Sequence, residues 1–324
     1  MLCARVQNIV AQVERWAFSR PFRITGYEWS DCDVLLVEVS SGELRGRGEA
    51  LGVYYHGDTP ETACELLRDR EVLNALPAGG ARNALDCALW DLRAKLEGRP
   101  VWQLLDLESP RPIITTYTIG ADEPASMAQA AREYAKARAL KLKLIGDGDD
   151  AERVTAVRAA RPDVWLAVDG NQGLTRESLE RLAPVLEQSR VELIEQPFPI
   201  GRDADLDGLR SPIPIAADES AQTSADLGKL AGRFDVVNIK LDKCGGLTEG
   251  LNMLHEARRL GLRPMVGCMG GTSLSMGPAF LLGQLCEFAD LDGPILFSRD
   301  REPSAEYDDE GRIFCSETVW GGAA

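Results

Sequence analysis

From Arg111 onward, short apolar runs alternate with amphipathic stretches. The runs include ALKLKL, VWLAVDG, VELIEQP, PIAADES, DVVNIKL and FADLDG. Between them lie segments with helical periodicity, such as PASMAQAAREYAKARA, DAERVTAVRAAR, TRESLERLAPVLEQ, SADLGKLAG and TEGLNMLHEARRLG. The pattern predicts eight strands, near 112–119, 139–144, 164–169, 191–195, 213–218, 235–240, 263–267 and 287–291. Eight strands joined by helices close a (β/α) barrel.

The first hundred residues do not follow that period. RVQNIVAQVERW and CDVLLVEVSSGELRGRGEA alternate as antiparallel strands do, with SSGEL as the turn. TPETACELLRDREVLNAL and ARNALDCALWDLRAKLEG are helical in period, and Gly98 before Arg99-Pro100 ends the second. The expected organisation is a small α+β domain over 1–108, a barrel over 109–300, and a tail over 301–324 that returns to the first domain. The loops FRITGYEWSD and GVYYHGDT would then cover the barrel mouth.

Each apolar run ends in an ionisable residue. Lys141 and Lys143, Asp169, Glu195, Asp218, Lys240, and finally Asp290 and Asp292 recur in steps of 22 to 26 residues over the middle of the series. Charge at the end of an apolar strand is costly unless it is paired or binds a metal, and strand ends carry the chemistry of such barrels. Any single Lys–Asp pair reads first as a rim salt bridge; the set in phase reads as an active site.

Placed on a ring of eight, Lys141 and Lys143 fall on strand 2 and Lys240 on strand 6, half a turn away. Asp169, Glu195 and Asp218 end strands 3, 4 and 5. An all-oxygen set of this kind favours Mg²⁺ or Mn²⁺ over zinc. Asp290 and Asp292, two residues apart and so on one face, stand on strand 8 opposite strand 4. Asn171 and Glu219 flank metal ligands and read as their hydrogen-bonding support. Arg82, Asp86, Trp90 and Asp91 read as structural.

Such a ring would hold a substrate with its negative end at the metal, its cationic end at strand 8, and a carbon between two lysines. If the negative end is a carboxylate, the metal makes the α-proton removable. One lysine would take it and the other return one from the far face. Neighbouring positive charge, from the metal and from Lys141, is expected to lower the pKa of the basic lysine.

Composition narrows the classes. The chain has 324 residues, 44% apolar and 27% charged, with a formal net charge of −15. No basic footprint for nucleic acid or an acidic membrane is present. No apolar run is long enough to span a bilayer, and MLCARVQNIV has no cleavable signal pattern. None of the eight cysteines forms a CxxC pair, which suits a reduced, cytoplasmic protein. Two histidines, His56 and His255, leave little for a His-ligated zinc site or a Ser-His-Asp triad. His255 reads as a helix-surface residue; His56, in the Gly-flanked loop GVYYHGDT, reads equally as a loop-surface residue or as one that touches a ligand at the barrel mouth.

At these residues the chain resembles the enolase superfamily and, within it, the muconate-lactonising subgroup that includes dipeptide epimerases. The KxK of Lys141 and Lys143, the ligands Asp169, Glu195 and Asp218, and Lys240 in NIKLDKCGGLTE follow that pattern in order. The resemblance implies a modified (β/α)7β TIM-type barrel with an N-terminal α+β capping domain, one Mg²⁺ per subunit, and Lys143 and Lys240 as acid/base catalysts. It implies that Lys141 helps neutralise the substrate carboxylate. It also implies that Asp290 and Asp292 in DLDGP bind a dipeptide's α-ammonium, and that Thr116 and the backbone near Cys268 touch substrate.

The implied partner is a small dipeptide, L-Ala-D/L-Glu or a related L-Ala-L-Xaa, inverted at its C-terminal α-carbon. N-acylamino-acid racemisation, cycloisomerisation and dehydration are the alternatives within the superfamily. A homo-oligomer is allowed by this reading, not required. One position departs: where glutamate-specific relatives carry an arginine after Pro-Phe, PFRITGYEWSD has Gly26. Arg23 is the nearest guanidinium, and the rest of the loop is acidic or aromatic.

Overall fold

The structure is a computed structural model that describes residues 6–69 and 73–323; Cys3 lies outside them. Three long strands come first: β1 (Asn8–Ile24), β2 (Tyr27–Ser41) and β3 (Leu44–Ala50), in one antiparallel sheet. Two helices, α1 (Pro60–Arg68) and α2 (Gly80–Glu97), pack on it. The helix expected over 59–76 is shorter: α1 ends at Arg68, residues 70–72 lie outside the described residues, and a 3-10 turn follows at Leu73–Ala75.

The sequence GRG explains how closely sheet and helix meet. A Cβ at Gly46 or Gly48 would lie 2.1 Å from Ala88 O or Ala84 O of α2, a spacing only glycine allows. Asp86 and Trp90 on the helix's other side bond Thr248, and Asp91 accepts from Arg47 N and Gly321 N. The structural reading of these residues agrees with their contacts.

After the short helix α3 (Val101–Leu104) comes β4 (Ile113–Ile114), then the barrel. Its strands are β5 (Thr116–Ile119), β6 (Ala139–Lys143), β7 (Trp165–Asp169), β8 (Leu193–Glu195), β9 (Ile215–Ala217), β10 (Val236–Lys240), β11 (Arg263–Gly267) and β12 (Phe288–Asp290). They run in sequence order as one eight-stranded parallel sheet. Thr116 Oγ1 to Asp290, Thr118 N to Asp292 Oδ2 (2.5 Å) and Leu291 N to Thr115 Oγ1 (2.7 Å) join the last strand to the first and close the ring.

The strand expected over 112–119 is broken at Thr115: β4 leaves the barrel to pair with β14 (Arg312–Phe314), itself paired with β13 (Glu306–Tyr307). The helices between strands include α4 (Pro124–Glu133), α5 (Asp150–Ala160), α6 (Arg176–Gln188), α7 (Leu227–Leu230), α9 (Leu247–Arg259) and α10 (Ser273–Gly283), with the single turn α8 (Leu241–Cys244) before α9. Only a 3-10 turn, Asp203–Leu206, bridges β8 and β9, and a single turn, α11 (Gly293–Leu296), follows β12. Among the described residues no helix is long and apolar enough to cross a membrane.

Strand periodicity sorts the barrel's interior into layers. Leu140, Leu142 and Leu144 point outward into the main core under the helices, each buried leucine contributing ~1.5–3 kcal/mol. Ala167, Leu193, Ala216, Val236 and Met265 fill the interior, backed by Trp165 and Phe288. The next inward positions are Asp169, Glu195, Asp218, Asn238, Gly267 and Asp290. An apolar floor therefore carries a polar layer at the carboxyl ends of the strands.

Candidate active site

All the ionisable residues singled out from the sequence meet in that upper layer. Lys143 Nζ lies 2.6 Å from Asp169 Oδ2, and Lys240 Nζ 2.8 Å from Asp218 Oδ2. Lys141 Nζ stands among three carboxylates: 2.7 Å from Asp290 Oδ2, 2.8 Å from Glu195 Oε2 and 3.2 Å from Asp169 Oδ2. Each catalytic-candidate lysine thus meets one oxygen of one aspartate.

The aspartates' other oxygens are held by fixed donors. Asn171 N donates to Asp169 Oδ1 at 2.9 Å. Lys243 Nζ donates to Asp218 Oδ1 at 2.6 Å and also to the carbonyls of Asp218 and Asn238. Asn238 Nδ2 in turn donates to Glu195 Oε1 at 2.9 Å. Lys243 and Asn238 were missed in the sequence reading. Asn238 was within reach, since it lies two residues before Lys240 and so faces inward with it.

Asp169, Glu195 and Asp218 offer carboxylate oxygens within 4.8 Å of one another, all buried. Glu195 Oε2 makes no aligned hydrogen bond, although it lies beside the Lys141 ammonium. A buried, all-oxygen set with an oxygen left over fits a hard divalent cation such as Mg²⁺.

Electrostatics divide the groups. Burial pushes the Glu195 carboxyl up to about 7, outweighing Lys141 beside it. Burial also acts on Asp169 and Asp218, but Lys143 and Lys141 outweigh it at Asp169, and Lys240 and Lys243 hold Asp218 well below the usual range. Burial works against the Lys240 ammonium, yet Asp218, Glu195 and Asp169 outweigh it and hold its pKa well above the ordinary value. Among the protein's own groups, carboxylates rather than the neighbouring Lys141 dominate the surroundings of Lys240.

Asp290 and Asp292 differ from each other. Both Asp290 oxygens are engaged, by Thr116 and by Lys141, and its pKa lies below the usual value: burial raises it and Lys141 outweighs that. Burial and then Asp290 push Asp292 up to about 6.

Above this layer lies a cavity of about 390 Å³, lined from below by Lys141, Lys143, Lys240, Asp290 and Asp292. Cys268 also lines it, its thiol pushed up to about 12 by burial and the two aspartates. The cap supplies the rest, including Phe22, Ile24, Trp29, Tyr54 and Tyr55. Asn171 and Glu219 bond each other (3.3 Å) and also face the cavity, rather than merely supporting the ligands. His56 is exposed and does not line it; His255 is an exposed helix residue, as expected.

Both loops of the cap hang from the barrel. Thr25 Oγ1 donates to Leu144 O (2.9 Å), and Asp242 Oδ1 accepts from Leu51 N and Gly52 N (2.8 and 2.9 Å). Arg23 faces away from the cavity and pairs with Glu28 at 2.9 Å. Gly26 sits in the tight turn with φ +76°.

Comparison with known proteins agrees with this architecture. Residues 125–303 match the enolase C-terminal domain-like family, and residues 57–106 the mandelate racemase/muconate lactonizing enzyme N-terminal domain. The chain is 43% identical to an N-acetyl-D-glutamate racemase from Pseudoalteromonas sp. over 303 residues, covering 90% of this chain and 96% of that one. It is 38% identical to the L-Ala-D/L-Glu epimerase of Escherichia coli K12, covering 91% and 95%. A crystal structure of a dipeptide epimerase from Methylococcus capsulatus, complexed with Mg and the dipeptide L-Arg-D-Lys, superposes with a TM-score of 0.89 at 33% identity, covering 96% and 97%.

The chain belongs to the enolase superfamily, in its mandelate racemase/muconate-lactonizing branch. Its relatives there are racemases and epimerases, and it is an isomerase of that kind.

Proposed function

We propose that this chain is a Mg²⁺-dependent dipeptide epimerase that inverts the α-carbon of the C-terminal residue by two-base proton transfer. One observation carries the reading: Lys143 and Lys240, on strands four apart in the ring, flank the Asp169–Glu195–Asp218 set, with Asp290 and Asp292 beside them. The Methylococcus relative, complexed with Mg and a dipeptide, supports it.

Asp169, Glu195 and Asp218 would hold the metal, which when bound stabilises negative charge developing on the substrate carboxylate and offsets the aspartates that keep Lys240 charged. Lys143 or Lys240, in its neutral form, takes the α-proton at Nζ. The opposite lysine, as ammonium, returns a proton to the other face. Lys141 balances the substrate carboxylate, and Asp290 with Asp292 receives the dipeptide's α-ammonium. Closure of the aromatic cap keeps water from the carbanionic carbon.

Incubating the Mg²⁺-loaded enzyme with a library of L,L-dipeptides in D₂O tests this. The expected result is α-deuterium at the C-terminal residue together with the L,D-diastereomer; neither appearing from any member overturns it. The identity to an N-acetyl-D-glutamate racemase favours a second reading, racemisation of an N-acylated amino acid. Such a substrate has no ammonium, so Asp292→Asn alone would spare activity under that reading and raise KM about tenfold or more under ours.

A further inference from the structure

Resting on the epimerase reading, we infer that the C-terminal residue of the preferred dipeptide carries a cationic side chain, lysine or arginine, seated under Trp29 and Tyr54 against the acidic rim of the cap. The cap side of the cavity is charged with one sign. Asp31, Asp33, Asp58 and Glu61 line it, and among the described residues its cationic lining consists of Lys141, Lys143 and Lys240 alone, all on the barrel floor. Arg15 holds Asp33 through two hydrogen bonds (2.9 and 2.8 Å) and approaches Asp31 at 3.7 Å, but does not line the cavity. Against three rim carboxylates, Asp31, Asp33 and Glu61, that single guanidinium leaves an excess of negative charge.

A glutamate side chain has nothing to meet here. Arg23 is the guanidinium closest in sequence to the turn, and strand alternation turns it away: Phe22 and Ile24 line the cavity while Arg23, between them, pairs with Glu28. A carboxylate entering the cap would meet four carboxylates and, among the described cap residues that line the cavity, no cationic side chain.

A second observation, independent of the rim, points the same way. Asn171 Oδ1 and Glu219 Oε2 are buried, on side chains 9% and 2% exposed, and both lack a hydrogen-bond partner among the described residues. Their residues face the cavity. Leaving the buried Asn171 Oδ1, an acceptor in any protonation state, unpaired is costly, and a ligand N–H relieves that cost whereas a second acceptor adds to it. Next to them stands the aromatic roof. Trp29 and Tyr54 meet edge to face, centroids 5.3 Å apart at 71°, and Tyr54 continues edge to face into Tyr55. Electron-rich ring faces beside carboxylates stabilise an ammonium or guanidinium. An aromatic side chain would stack on the same rings, but it would leave Asn171 Oδ1 unpaired.

The test is a rate comparison by NMR in D₂O with Mg²⁺-loaded enzyme and four dipeptides: L-Ala-L-Lys, L-Ala-L-Arg, L-Ala-L-Phe and L-Ala-L-Glu. Expected is a kcat/KM for the cationic pair about tenfold or more above the phenylalanine dipeptide and higher still above the glutamate one, with the margin shrinking as salt is raised. The double variant Asp31→Asn, Glu61→Gln should lower kcat/KM for L-Ala-L-Lys about fivefold more than for L-Ala-L-Phe, chiefly through KM. Fastest exchange with L-Ala-L-Phe or L-Ala-L-Glu overturns the inference and leaves the epimerase reading standing. No exchange with these four or with a wider library overturns both.

Discussion

Lys243 donates to Asp218 Oδ1 from the side of the carboxylate opposite Lys240, and its remaining donors go to the carbonyls of Asp218 and Asn238. It therefore has no proton donor left for substrate and acts by fixing Asp218. Replacing it with Met strands two carbonyls and frees the carboxylate. The Lys243→Met variant is expected to bind Mg²⁺ about 10- to 100-fold more weakly, measured by calorimetry after EDTA stripping. An unchanged affinity would show that Asp218 needs no such anchor.

Under the proposed two-base mechanism, each lysine serves one epimer. Lys143→Met should lose solvent-deuterium exchange from one diastereomer, and Lys240→Met from the other, each by about 10³-fold or more. Both variants should still bind dipeptide. Equal loss of exchange from both diastereomers in both variants speaks for a single base.

The two carboxylates of the DLDGP segment are unequal. Asp290 is saturated by Thr116 and Lys141, whereas Asp292 has one oxygen on Thr118 N. Asp292→Asn is accordingly expected to raise KM for a dipeptide about tenfold or more with a smaller fall in kcat. Asp290→Asn should instead lower kcat, because it releases Lys141. The steady-state split between KM and kcat checks both.

Burial pushes Asp242 up to about 7, against the hydrogen bonds from Gly52 and Leu51. The folded state then holds a proton that the unfolded chain gives up near pH 4. The associated stability is complete below that value and is lost as pH rises toward 7. Relative to Asp242→Asn, the wild-type unfolding free energy should fall by as much as about 1.4 kcal/mol per pH unit across this window. Urea unfolding in EDTA at pH 5 and pH 7.5 reads it; a pH-independent difference between the two proteins removes the assignment.

Much of this site was legible because each barrel strand brings one inward position to the mouth per repeat, so the spacing of Lys143, Asp169, Glu195, Asp218 and Lys240 maps directly onto a ring. The break at Thr115 was not, since β4 is drawn off by a partner two hundred residues away. Lys243 was hidden because it reaches Asp218 from a helical turn beyond the strand, where strand parity no longer applies. The cap's lining was hidden for a different reason. The register between β1 and β2 shifts between Ala17 and Phe22, and such an irregularity decides which side chains of the hairpin tip face inward.

Thr25, in the hairpin turn itself, and Asp242, on the barrel, suspend the two cap loops through short side chains and backbone, and neither attachment uses the side chain of Trp29 or Tyr54, whereas Tyr55 accepts from Gln222 Nε2. Trp29 and Tyr54 can therefore be exchanged while the loops stay where they are and the lysines below keep their aim. A scaffold arranged this way lets substrate range drift by single substitutions without passing through inactive forms, and it marks those two positions as the ones to randomise when a new substrate is wanted.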